Sequence, residues 1–107
     1  MDVETLIRAL SHSEDLTPFR SLVDPLVEHD RRRGSDLVRT LKTYFAAGAN
    51  ASEAADRLFL HRNSMTYRLE RIGKLTGLDL RDPGVALALQ LGVLSLNRGV
   101  TDEDERP

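Results

Sequence analysis

Residues 49–73, ANASEAADRLFLHRNSMTYRLERIG, hold two good helix-forming runs separated only by Phe59, Leu60 and His61. So short a link leaves no room for a loop, and the two helices must meet at a steep angle, as in a helix-turn-helix. Such a unit has packing requirements that can be checked. The first helix needs small residues where the second crosses it, which Ala54 and Ala55 supply, and the turn needs an apolar plug, which Leu60 supplies. The second helix needs an inward stripe, and Met65, Leu69 and Ile72 stand at i, i+4 and i+7.

The rest of the chain is punctuated in the same way, and no sustained period-2 pattern bounded by hairpin turns interrupts it. Leu6, Ile7 and Leu10 share one face of a first helix that Ser11 to Glu14 should end. Thr17-Pro18 and Asp24-Pro25 both read as an N-cap followed by proline at the first helical position, where its missing N–H costs nothing. The helix expected from Asp24-Pro25 should stop at Gly34, with Arg31, Arg32 and Arg33 in its last turn beside the negative end of the helix dipole. Ser35 or Asp36 can cap a helix carrying Leu37, Val38, Leu41, Tyr44 and Phe45, which Gly48 ends. Asn50 or Ser52 caps the next, through Leu58, and His61 or Asn63 caps one running to about Thr76, before Gly77. Asp82-Pro83 opens a last helix reaching toward Asn97 or Arg98. The expected fold class is therefore all-α, a small bundle of about six helices containing a helix-turn-helix.

A chain of 107 residues with 40% apolar composition supports one modest core, burying roughly 65% of the unfolded surface. Without cysteine, disulfides and thiolate metal sites are excluded, and a reducing cytoplasmic setting is compatible. Val85 to Leu96, the longest apolar run, is interrupted by Gln90, Gly92 and Ser95 and falls short of the ~20 residues a membrane span needs. Asp2 and Glu4 precede Leu6 where a signal peptide would carry a basic flank. His12, His29 and His61 are scattered without metal-ligand spacing, and neither a Ser/His/Asp spacing nor a Gly-rich phosphate loop suggests catalysis. Neither a cofactor nor a metal is expected, and the chain does not read as an enzyme.

The net charge of −2 hides a segregation. Residues 1–30 carry two arginines against seven carboxylates, whereas residues 57–81 carry six cations against two carboxylates. Local charge sets the field a ligand meets at a binding face, and the basic segment contains the second helix of the turn unit. With Met65 inward, Asn63, Tyr67, Glu70 and Lys74 point roughly the opposite way, flanked by Ser64, Thr66 and Arg71. Arg62, Asn63, Ser64 and Thr66 put hydrogen-bonding groups in the first turns, the part of a recognition helix that usually meets base edges.

The segment LVRTLKTYFAAGANASEAADRLFLHRNSMTYRLERIGKLTGLDLRDP resembles the C-terminal helix-turn-helix domain of PucR/CdaR-type bacterial transcriptional regulators. Thr40, Leu41, Tyr44, Ala54, Ala55, Leu58, His61, Arg62, Asn63, Tyr67, Arg68, Leu69 and Ile72 carry the resemblance, which runs from about Leu22 to Leu96. Departures are small: Ser64 stands where threonine is common, Ala49 where a second glycine is common, and Thr66 where relatives are often basic. From Asn50 to Gly73 the chain is also similar to the DNA-binding end of Fis and of enhancer-binding activators, which implies a Fis-like unit with Arg62, Ser64, Thr66 and Tyr67 at the DNA and His61 as cap. The resemblance implies double-stranded DNA as partner and an output domain that usually follows an N-terminal sensor. On this reading residues 1–34 pack on or link to the DNA-binding unit, residues 35–99 form it, and residues 100–107 are a disordered acidic tail.

Individual residues divide between roles. Arg62, Asn63, Ser64, Thr66 and Tyr67 are the base-reading candidates, although the Tyr67 ring could instead cover the hairpin. Arg57, Arg68, Arg71 and Lys74 are the phosphate candidates, with a structural ion pair, for example to Asp56, the alternative for Arg68. Glu70 should restrain Lys74 at i+4. The last helix is apolar on too many sides for one small core. Either it is a central helix wrapped by Leu6, Leu26 and Tyr44, or Val85, Leu89, Val93 and Leu96 help form a homodimer contact. The rival to a DNA reader is a helical protein-interaction module that keeps the turn unit as scaffold.

Overall fold

The computed structural model describes residues 2–104, with side chains described for residues 2–96. It consists of α1 (Val3–Ser11), a 3-10 turn (Glu14–Leu16), α2 (Thr17–Arg33), α3 (Leu37–Ala46), α4 (Ala51–Arg57), α5 (Arg62–Thr76) and α6 (Pro83–Asp104). No strand occurs among the described residues. The expected all-α class and six helices are observed.

Helix ends follow local chemistry at most junctions. Asn50 Oδ1 accepts the Glu53 amide at 3.0 Å, and Asp82 Oδ1 accepts those of Gly84 and Val85 at 2.8 and 3.2 Å. Gly34 and Gly77, at φ of 63° and 71°, close α2 and α5 in the left-handed conformation that glycine adopts without a Cβ penalty.

Besides a one-residue shift at the start of α2, where Leu16 and not Thr17 holds the cap position, three boundaries differ from the sequence expectation. Asp24-Pro25 opens no helix: α2 runs unbroken for 17 residues with Pro25 inside it. An interior proline costs about 3 kcal/mol through its lost N–H and ring clash. Here Val23 and Leu26, each 0% exposed, bury on either side of it, and α2 against α6 is the most extensive helix pairing in the fold. The second difference is the cap of α3. Asp36 occupies the cap position without a side-chain bond, and Ser35 donates its hydroxyl to Asp30 at 2.5 Å. The cap is Asp30 itself, whose two carboxylate oxygens accept the Leu37 and Val38 amides at 2.8 and 2.9 Å. The tight turn at Gly34 brings the last turn of α2 beside the free N–H groups of α3. Third, α6 passes through Gly99 to Asp104 instead of ending near Arg98. A helical glycine costs only about 1 kcal/mol, and no proline follows until Pro107. Of the expected acidic tail, residues 105–107 lie outside the described residues.

Val23, Leu26, Leu37, Leu41, Ile72, Leu89 and Val93 form the main core, so α2, α3, α5 and α6 share one interior. A smaller cluster of Ala54, Ala55 and Met65 joins α4 to α5, and the half-buried Tyr44 and Leu69 pack against both clusters. The second helix of the turn unit, α5, is thus anchored to both.

The last helix is the central element, covered chiefly by α2. Leu89 (0% exposed) and Val93 (7%) are enclosed by the chain's own core, and Val85 and Leu96 pack on it half-buried. The expectation that Leu89 and Val93 face a partner is corrected: α2, with its 17 residues and two inward side chains at Val23 and Leu26, already occupies that side of α6. On α6 itself Leu87 stays in solvent, and the largest group of exposed apolar residues on one helix is on α1, where Val3, Leu6, Ile7 and Leu10 remain 69, 52, 47 and 41% exposed.

Candidate nucleic-acid interface

α4 and α5 are separated by Leu58, Phe59, Leu60 and His61 alone. The turn is held by backbone bonds from the Leu58 amide to the Ala54 carbonyl (3.0 Å) and from the Leu60 amide to the Ala55 carbonyl (2.9 Å). Ala54 is fully buried and Ala55 nearly so against Met65, with Leu60 packed on the same cluster, as the steep crossing requires. Phe59 bends the chain through a φ of +56°, a region that disfavours side chains with a Cβ by roughly 1–2 kcal/mol. Its ring is 93% exposed and packs on nothing that offsets this. Phe59→Gly is therefore expected to raise the unfolding free energy by about 0.5–1 kcal/mol, after allowing for glycine's larger unfolded-state entropy; urea unfolding of the two proteins checks it.

α5 begins with its cap in place: the Asn63 amide donates to His61 Nδ1 at 3.0 Å, which decides between His61 and Asn63. Met65 and Ile72 point inward, and Leu69 is half-buried between them. Arg62, Asn63, Ser64, Thr66 and Tyr67 are all exposed, Tyr67 at 65%. The Tyr67 ring therefore does not cover the hairpin.

The cations divide into two groups. Arg8, Arg31, Arg39, Arg57 and Arg81 each pair with a carboxylate of their own neighbourhood. The Arg31 guanidinium holds the Glu28 carboxyl below its ordinary pKa, and Arg81 does the same to Asp79. Among the described residues Arg62, Arg68, Arg71 and Lys74 form no ion pair. Of the four phosphate candidates, then, Arg57 is engaged by Glu53 at 3.2 Å, and Glu70 forms no ion pair with Lys74. Arg68 pairs with neither Asp56 nor another acid. It donates to Thr40 Oγ1 at 3.0 Å, and the fully buried Thr40 hydroxyl donates in turn to the Asp36 carbonyl at 2.7 Å. This link ties α5 to α3 across 28 positions, so Thr40 is a positioning residue; the resemblance includes both Thr40 and Arg68, but no local sequence signal pairs them. With one guanidinium nitrogen bound to Thr40, Arg68 retains further N–H donors.

Beside α5 lies a cleft of about 750 Å³ between the α2–α3 turn and the second helix, lined among others by Asn63, Ser64, Tyr67, Arg68 and Arg71. No group of His, Cys, Asp or Glu suited to a metal ion occurs among the described residues, and no described helix is long and apolar enough to cross a membrane.

This geometry, a short first helix crossing a longer one whose leading turns project polar side chains, defines a helix-turn-helix. The family model of the PucR C-terminal helix-turn-helix domain matches residues 37–94, and the chain belongs to that family. It is 35% identical over 92 residues to the purine catabolism regulatory protein of Bacillus subtilis (strain 168), covering 86% of this chain and 17% of that protein. It is 29% identical over 69 residues to the proline-responsive transcriptional activator PutR of the same organism, 64% of this chain and 17% of that protein. To the carbohydrate diacid regulator of Escherichia coli (strain K12) it is 48% identical over 44 residues, 41% of this chain and 11% of that protein. The chain thus spans about a sixth or less of the length of these three regulators. No solved structure matches it.

Proposed function

We propose that this chain is the sequence-specific DNA-binding output domain of a cytoplasmic transcriptional regulator, with the leading turns of α5 in the major groove of double-stranded DNA. The observation that carries the reading is the contrast along α5. The exposed Arg62 and Lys74 and the half-buried Arg71, none with an ion pair among the described residues, flank Asn63, Ser64, Thr66 and Tyr67, whereas arginines on several other faces are neutralised by nearby carboxylates. Positive charge without a carboxylate partner beside a row of short donors and acceptors suits a phosphate-flanked set of base edges. Arg62, Asn63, Ser64, Thr66 and Tyr67 read bases, and Arg71, Lys74 and the remaining donors of Arg68 attract phosphate. The names of the relatives, which include transcriptional activators and regulators, support the same reading, as does their greater length for a sensor domain N-terminal to this one.

Duplexes tiled across the region upstream of the chain's own gene test it. One of them should bind at low salt, with affinity falling steeply as salt rises, by a slope of about −0.9 per neutralised phosphate. Arg62→Ala should weaken that complex by about tenfold or more, the discrimination a bidentate base contact supplies, while leaving the thermal midpoint in place. Equal binding by Arg62→Ala, or no shifted duplex, sinks the assignment.

Homodimerisation belongs to the same proposal, since two copies related by a two-fold axis would present two α5 helices to half-sites about 34 Å apart. The exposed apolar face of α1, Val3, Leu6, Ile7 and Leu10, supports a contact there. Sedimentation that finds a clean monomer at high concentration removes the dimer and leaves the DNA reading intact.

A further inference from the structure

The three consecutive arginines at the end of α2 are not explained by the turn unit. Their simplest role is to complement the negative end of the α2 dipole, yet their surroundings differ. Arg31 bonds Glu28 through two guanidinium nitrogens, at 2.6 and 3.2 Å. Arg32 and Arg33 have no ion pair among the described residues. Arg33 instead lines the same cleft of about 750 Å³ whose opposite wall is Ser64, Tyr67, Arg68 and Arg71. A second concavity of about 290 Å³ continues that surface past Arg32, Arg33 and Arg71.

The acids nearest this strip are all satisfied elsewhere. Glu28 is held by Arg31, and Asp36 by Arg39 at 3.2 Å. Asp30 is committed to the Leu37 and Val38 amides and to Ser35. That last arrangement also fills the N-terminus of α3, so an anion entering the cleft would meet side-chain guanidinium groups rather than free backbone amides. On α5, Ser64, Arg68 and Arg71 stand at i, i+4 and i+7 and so form one row along the side of the helix. That row borders Asn63 and Tyr67 on the exposed face, which makes the cleft continuous with the surface assigned to base reading.

We propose that the last turn of α2, through Arg33 and Arg32, is a second wall of the DNA interface that holds the sugar-phosphate backbone alongside the groove entered by α5. The inference rests on the DNA-binding reading above and assigns a role to a helix that lies outside residues 37–94 of the family match. Guanidinium groups on both sides of the cleft then clamp one strand, fixing the register of α5 without reading sequence.

The test uses the whole 107-residue chain and a mixed-sequence duplex, because backbone contacts persist in non-specific binding. Affinity is measured by fluorescence anisotropy across a salt series. Arg33→Ala should make the plot of log affinity against log salt shallower by about 0.9, and the Arg32→Ala/Arg33→Ala pair by up to about 1.8. Arg31→Ala, whose guanidinium is engaged by Glu28, should leave the slope unchanged. Arg33→Lys keeps the charge and should keep the slope, which separates lost charge from a disturbed helix end. Parental slopes in Arg33→Ala and in the double variant overturn the second wall while the DNA reading stands. If the parent chain itself shows no salt-dependent duplex binding, both fall.

Discussion

Gly92→Ala should destabilise the chain by about 1–3 kcal/mol, although alanine is the better helix former by roughly 1 kcal/mol. A Cβ built at Gly92 would lie 2.5 Å from the Phe19 carbonyl oxygen and 3.2 Å from its carbonyl carbon. Both atoms belong to the backbone of α2, so no rotamer change relieves the contact, and the two helices must move apart. That separation opens the interface on which Val23, Leu26, Leu89 and Val93 depend. Gly73, also inside a helix, provides the control. Its Cβ would meet only the Leu78 carbonyl oxygen at 3.4 Å, an ordinary contact distance, so Gly73→Ala should be neutral or stabilising by up to about 1 kcal/mol. Thermal unfolding followed by circular dichroism reads both, at roughly 4–8 °C per kcal/mol for a domain near this size. A Gly92→Ala midpoint at or above that of the parent would mean that α2 and α6 do not approach as described.

Leu89→Ala should cost about 2–5 kcal/mol, the range for truncating a fully buried leucine, and the loss should not depend on protein concentration. Leu89 is 0% exposed between α2 and the rest of the core, whereas Leu87, two positions away on the same helix, is 59% exposed. Leu87→Ala should therefore stay within about 0.5 kcal/mol of the parent. The concentration arm matters because a residue that stabilises by joining two chains makes the midpoint rise with concentration, while a residue of the monomer core does not. A concentration-dependent midpoint in the parent that Leu89→Ala abolishes would return this residue to a dimer interface.

Leu89 also marks where sequence reading ends. Val85, Leu87, Leu89, Val93 and Leu96 supply apolar groups to more than one face of α6, and periodicity alone does not say which face is covered by the chain and which is left over. Covering is decided by where α2 lies, and α2 itself is longer than its local signals indicate. Asp24-Pro25 has the local signature of a helix start, but burial of Val23 and Leu26 on both sides of the proline keeps the helix continuous. Tertiary packing here outweighs a local preference of about 3 kcal/mol.

The turn unit was far more legible, because its determinants are close together in sequence. Ala54, Ala55, Leu60 and Met65 lie within 12 consecutive residues, and the steric demand of a steep crossing constrains each of them. His61, Asn50 and Asp82 cap helices by reaching two or three residues ahead, a distance over which sequence and geometry are nearly the same thing. The link from Arg68 to Thr40 and the cap from Asp30 to α3 were not legible, since each depends on how two helices are placed relative to one another.

By itself, then, the sequence determined what local sterics and periodicity can enforce: an all-α chain, the break at Phe59-Leu60, and an α5 with Met65 and Ile72 inward and Arg62 to Tyr67 outward. Only the tertiary structure decided which charges were already taken and which surfaces were already covered. Ion pairing engages Arg57 and Arg31 and leaves Arg62, Arg71, Lys74, Arg32 and Arg33 without a carboxylate partner among the described residues, and packing by α2 encloses Leu89 and Val93 while α1 keeps its apolar face in solvent. The physical reason is that a side chain's character is written in the sequence, but its availability depends on neighbours that the fold brings from elsewhere in the chain.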